Sequence, residues 1–180
     1  MNFAEIIHFW FEETSDSQHW QKNPDFDEEI RDKFLDSYYS VVAGETYPWR
    51  EIPEGALAEV IILDQFSRNI FRDDPQSFLH DPLALALSQN AIMTGHHKEL
   101  DRAKRGFLYM PFMHSESRVI HEQAVKIFGD LEWGAGSMEF ELKHKAIIDR
   151  FGRYAHRNAI LGRESTSEEI EFLQQPGSGF

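Results

Sequence analysis

Apolar side chains recur along most of this chain every three to four positions. Phe3, Ile6, Ile7, Trp10 and Phe11 share one helical face, with Asn2 placed to cap it and Glu5 completing a box-like start. The polar run from Thr14 to Gln18 reads as a loop. Phe26, Ile30, Phe34 and Tyr38 step by four, widened by Leu35, Val41 and Val42. They predict a second helix from near Pro24 and Asp25 to about Ala43, stopped by Gly44. After a loop from Tyr47, Pro53 suits the first turn of a third helix over roughly 53–72. This helix is apolar almost all round from Ala56 to Leu63, which predicts a central position. Its second half then gathers Asp64, Gln65, Arg68, Asn69 and Arg72 at spacings of three and four. Such a polar side faces solvent or lines a pocket.

Asp81-Pro82 reads as a capped helix start, with Leu83, Leu87 and Ala91 facing inward and Gly95 ending the helix. A helix over Asp101–Met110 is closed or kinked by Pro111. Ser115 is placed to cap the next, which runs to Phe128 and stops at Gly129. Leu131–Gly136 reads as a connector. Ser137–Phe151 reads as a helix burying Phe140, Ile147, Ile148 and Phe151, with Gly152 at its end. Thr166-x-x-Glu169 is a capping box before a short helix through Leu173. No strand-like alternation is sustained over five residues. The expectation is an all-α domain spanning 1–180, about eight helices in antiparallel hairpins, with 174–180 a frayed tail. No clean repeat period is visible.

Charge changes the picture. The chain has 180 residues and a formal net charge of −13, so nucleic acid and anionic membranes are not expected partners. Without cysteine there are no disulfides, thiolate nucleophiles or thiolate metal sites, which fits a reducing cytoplasm. MNFAEIIHFWF lacks the basic region and cleavage site of a signal peptide, and no apolar run is long enough to span a membrane.

Against this acidity, Phe140–Thr166 holds six Lys or Arg and three Asp or Glu. Arg150, Arg153, Arg157 and Arg163 are the guanidinium groups of that stretch. Arginine's planar fork suits bidentate binding of carboxylate or phosphate. Two readings stay open. The arginines are internal partners of Asp64, Asp149 and Glu116, or they form an anion pocket together with Arg68.

His114-Ser115-Glu116 offers His114 as a general acid/base with Glu116 orienting it, or both as metal ligands. It also reads as a plain helix start, with Ser115 capping and Glu116 favoured by the dipole. His144 shares an apolar face and reads as a core histidine. His156-Arg157-Asn158, beyond a helix end, is a better ligand-binding candidate. Glu5-x-x-His8 and Glu141-x-x-His144 match a di-iron bundle pattern, though composition alone yields about one such match by chance. No phosphate-binding loop, dinucleotide fingerprint or nucleophile elbow is present.

Leu63-Asp64-Gln65-Phe66-x-Arg68-Asn69, Phe107-x-Tyr109-x-Pro111 and His114-Ser115-Glu116 are joined by three later blocks. These are Arg150-Phe151-Gly152-Arg153, His156-Arg157-Asn158 and Leu161-Gly162-Arg163-x-Ser165-Thr166. Together they resemble a bacterial family known only as a domain of unknown function. The resemblance implies helical hairpins packed as a short superhelix like that of tetratricopeptide-repeat proteins. It implies no activity and no cofactor. The chain departs from the family's pattern where prolines are expected, at Ser67 and Ala155.

The functional expectation is a pocket for an anionic small molecule or peptide. His114, Glu116 and His156 are its acid/base candidates. Asp64, Arg68, Asn69, Arg150, Arg153, Arg157, Asn158 and Arg163 are its binding candidates. A non-catalytic interaction module with a peptide groove is the alternative from another class, and a metal-binding helical protein is a lesser one.

Overall fold

The apolar stripes fold as helices around one central segment. The computed structural model describes residues 2–130 and 134–179, and no strand occurs among them. Asn2 caps α1 (Phe3–His8) by accepting a hydrogen bond from the Ala4 N–H. Asn23 caps α3 (Pro24–Val42) in the same way, after a short α2 (Asp16–Trp20). Ser15 and Gln18 form a capping box at α2, so the polar run expected as loop is locally specified as helix.

α4 (Pro53–Ile61) is the centre of the fold. Leu57, Ala58, Val60 and Ile61 are fully buried, as are Ile62 and Leu63 beyond it. Aromatic residues pack on its far end: Phe34 stacks on Phe66 at 4.8 Å and Trp10 meets Phe66 edge-on at 5.3 Å. Gly55 lies so close to the Trp49 carbonyl that a side chain would collide with it. The helix expected over 53–72 continues to Ile70 without a break in helical backbone, though not as one regular α-helix. A wide π-type turn occupies Ile62–Phe66 and α5 is only Ser67–Ile70.

α6 (Gln76–Leu79) precedes α7 (Asp81–Met93), which packs on α4. Asp81 is the first residue of α7 rather than its cap, because its carboxylate is drawn off by arginine. α8 (Arg102–Met113) continues past Pro111, which removes one backbone donor close to the helix end. α9 (Arg118–Asp130) runs through Gly129. The connector expected over Leu131–Gly136 lies partly outside the described residues, and α10 (Gly134–Phe151) already includes its last positions.

α8, α9 and α10 pack on one another in sequence order. The inner face of α10 is Glu141, His144, Ile147 and Ile148, while Phe140 is 51% exposed. The rotation follows from polar partners waiting on α9. Gly152, at φ +71, ends α10 in the left-handed region that suits glycine. The Thr166–Glu169 box then starts α11 (Ser167–Leu173) as expected. Residues 174–179 fold back over α11, with the Ser178 hydroxyl donating to the Leu173 carbonyl at 3.2 Å.

Candidate functional site

The wide turn after α4 decides where Asp64 points. The Ser67 N–H reaches back to the Ile62 carbonyl, and the Ser67 hydroxyl donates to the Leu63 carbonyl at 2.7 Å. A proline at Ser67 would supply neither bond. The turn carries the Asp64 carboxylate fully inside the protein. There Gln65 Nε2 donates to Oδ2 at 2.6 Å and His114 Nδ1 meets Oδ1 at 2.7 Å. His114 caps the C-terminus of α8, with its side chain 17% exposed. Burial pushes the Asp64 carboxyl up, yet His114, Arg68 and Gln65 outweigh it and hold the group below the ordinary carboxylate range. An ionised Asp64 accepts the Nδ1 proton, so a neutral His114 carries its free lone pair on Nε2.

A second group lies beside this pair. Arg68 Nη2 grips both oxygens of Asp81, at 2.8 and 2.9 Å. Its Nη1 donates to the Ser77 carbonyl and, at 3.3 Å, to the Ser67 hydroxyl. Arg157 Nη1 reaches the same Asp81, at 3.2 Å from Oδ2. Two guanidinium groups therefore share one carboxylate. Arg157 is 6% exposed and lies between two rings, 4.7 Å from Phe78 and 4.5 Å from Tyr154. Its buried Nε meets no partner. Burial first, then the neighbouring Arg68, pull the Arg157 group below the usual arginine range.

The floor beneath is polar as well. His144 Nδ1 donates to the Phe140 carbonyl at 2.8 Å, and its ring lies 6.4 Å from that of His114. Burial pushes His144 down to about 3 and His156 down to about 4. Both are therefore neutral near pH 7. The Tyr154 hydroxyl donates to the Met113 carbonyl at 2.6 Å, and burial pushes its titration up. His121 Nδ1 meets Glu141 Oε1 at 2.7 Å, and both side chains are fully buried. Burial raises the Glu141 carboxyl against the pull of His121.

The family model for DUF924, a bacterial protein of unknown function, matches residues 6–177. The chain belongs to that family. A solved structure, that of the protein of unknown function ATU0120 from Agrobacterium tumefaciens, superposes with a TM-score of 0.90. It is 34% identical over 96% of both chains. No curated protein gives a significant match.

Of the residues singled out in sequence, this DUF924 chain brings Asp64, Arg68, His114 and Arg157 together. His156 lies beside them, its ring centroid 5.5 Å from that of Tyr154. The others are engaged elsewhere. Arg150 pairs with Glu168 at 2.7 Å on the surface, and Arg153 holds both oxygens of Glu169. Asn69 donates to Asp27 at 2.8 Å, beside Arg72. The Glu116 carboxylate accepts two bonds from Arg163 and one from the Tyr154 N–H. Asn158 ties Arg163 to Ser165. Glu116 thus straps the segment after Gly152 in place, and the orienting role expected of it falls to Asp64. The local motif suggested the nearer carboxylate, whereas the wide turn delivers the distant one.

Sequence reasoning missed Asp81, Phe78, Tyr154 and the burial of Glu141, whereas His144 is the core histidine expected, on the buried face with Ile147 and Ile148. The only signal for Asp81 was its place before Pro82, which reads equally well as a cap. Among the described residues no three His, Asp or Glu groups converge as metal ligands. Glu141 is taken by His121 and His144 by a carbonyl, while His8 pairs with Glu12 on the surface. A shallow groove of about 260 Å³ lies elsewhere, between α10 and α11, lined by Ile147, Phe151 and Phe172. Its cations are neutralised, Lys143 by Glu139 and Arg150 by Glu168.

Proposed function

We propose that this protein binds an anionic small molecule at the Arg157–His114 cluster, with His114 as an acid/base group oriented by Asp64. Arg157 is the observation that carries the reading. A buried guanidinium that shares its only carboxylate is short of compensating charge, and a buried cation in that state is costly. An anion at its unengaged edge supplies what is missing. The Asp64–His114 pair supports the acid/base part. A buried carboxylate fixes the ring while the second nitrogen is left for a ligand. The neutral His144 and His156 nearby add no competing positive charge.

The interaction-module alternative receives less support, since Arg150, Arg153 and Arg163, the other arginines of the basic stretch, are each paired with a carboxylate. Nucleic acid and membrane surfaces are not proposed as partners, given the net charge of −13. A cytoplasmic setting goes with this reading, supported by the cysteine-free composition. Among the described residues no helix is long and apolar enough to cross a membrane.

Thermal unfolding of the purified protein against a panel of small carboxylates and phosphates tests the proposal. A ligand at a hundredfold excess over its Kd stabilises the fold by about 2.7 kcal/mol, a shift of roughly 5–10 °C at this size. At least one anion gives that shift, and Arg157→Gln removes it. A panel that is silent throughout contradicts the reading.

A further inference from the structure

The carbonyls on either side of His114 are both held by side chains from other elements. The Tyr154 hydroxyl donates to the Met113 carbonyl at 2.6 Å, and His121 Nε2 lies 2.8 Å from the Ser115 carbonyl. Met113 is the last residue of α8 and His114 its cap. Carbonyls at a helix end have run out of intrahelical partners, so when buried they need donors from outside. Tyr154 reaches in from the segment after α10, and His121 from α9. Tyr154 is itself tied down, because its N–H donates to Glu116 at 2.7 Å.

The acceptors decide where the protons of this group lie. A carbonyl can only accept, so His121 Nε2 carries a proton to meet Ser115. Tyr154 gives its hydroxyl proton to Met113, so its oxygen, 3.2 Å from the same Nε2, can only accept from it. His121 Nδ1 is left facing Glu141 Oε1 at 2.7 Å, with both side chains fully buried. Two lone pairs at that distance would repel, so one proton lies between them. Whichever atom holds it, the pair is neutral as a whole. Burial, which raises the Glu141 carboxyl, works in the same direction. Glu141 thereby keeps the Nε2 proton of His121 on Ser115.

We infer that His121 and Tyr154 are positioning residues of His114: they fix the backbone on both sides of it and so hold its ring on Asp64. Glu141 acts one step further out, through His121. This inference rests on the reading of His114 as the acid/base group, and it is independent of how an anion meets Arg157.

Ring 15N–1H signals of His114 in the ligand-free protein, read well below its unfolding temperature, test this. In the wild type the neutral ring is a single tautomer, with its proton on Nδ1 facing Asp64 and exchanging slowly with water. Tyr154→Phe removes one hydroxyl and keeps the aromatic ring. Exchange of the His114 Nδ1 proton then becomes faster by about tenfold or more, the scale of one lost buried hydrogen bond. His121→Leu has the same effect from the other side. Glu141→Gln keeps a donor for His121 Nδ1 and leaves the His114 signals as in the wild type. If His121→Leu does not fold, Tyr154→Phe decides alone. A folded Tyr154→Phe protein in which His114 exchange is unchanged overturns the inference, whatever its unfolding midpoint. Disturbed His114 signals in Glu141→Gln overturn the proton assignment. A silent anion panel overturns the anion-binding proposal and leaves the result at His114 standing.

Discussion

Two histidines with unlike surroundings set how this protein responds to acid. In an unfolded chain histidine titrates near ~6.5, whereas burial keeps His144 neutral down to about 3 and His156 down to about 4. Between those values and ~6.5 the unfolded chain binds protons that the fold refuses, so acidification favours unfolding. Their contribution is complete above pH ~6.5 and declines as pH falls. From pH 7.5 to 5 each histidine costs about 2 kcal/mol. Chemical denaturation across that range reads the slope, and His144→Leu removes about half of what these two residues supply. An unchanged slope contradicts the assignment. Asp64 acts at lower pH. Its carboxyl is held down in the fold, so its contribution is present above the ordinary range and lost as pH falls through the lowered value. Asp64→Asn removes the fully buried anion that meets His114 Nδ1 and Gln65 Nε2, and lowers the unfolding midpoint at pH values above the ordinary carboxylate range.

At the scale of elements, the wide turn over Ile62–Phe66 aims the site and α11 braces it. Thr166 accepts a bond from the Glu169 N–H while the Glu169 side chain closes the box and receives Arg153. Thr166→Ala costs about 1 kcal/mol by the loss of the cap, seen as a lower unfolding midpoint. The sequence made most helices readable. The stripes of α3 and α4, the stop at Gly44 and the Thr166–Glu169 box all express local rules that the fold obeys. The wide turn was not readable, because an inserted residue leaves the apolar pattern of Ala56–Leu63 unchanged. Phe140 was misplaced for a related reason. Its apolar character pointed inward, but Glu141 takes the inner position to meet His121, which leaves Phe140 exposed while His144, Ile147 and Ile148 face inward as expected. Candidate residues were therefore visible as types, and their grouping was not. Arg68 and Arg157 meet only because α7 carries Asp81 between them, seventy-six positions from Arg157 in sequence.

For the whole molecule, a large core around α4 and a smaller cluster of Ile147, Ile148 and Tyr154 hold these distant pieces in register. Gly55→Ala tests that packing, since its side chain would press on the Trp49 backbone. Overpacking of this kind costs about 1–3 kcal/mol, or more where backbone must move, and should also weaken ligand binding by shifting α4. The most direct measurement is a crystal structure of the protein grown with the anion that gives the largest thermal shift. The account predicts that anion against Arg157, with His114 Nε2 within hydrogen-bond reach of it and Asp64 still on Nδ1. A saturating anion found elsewhere, with none at Arg157, would contradict it.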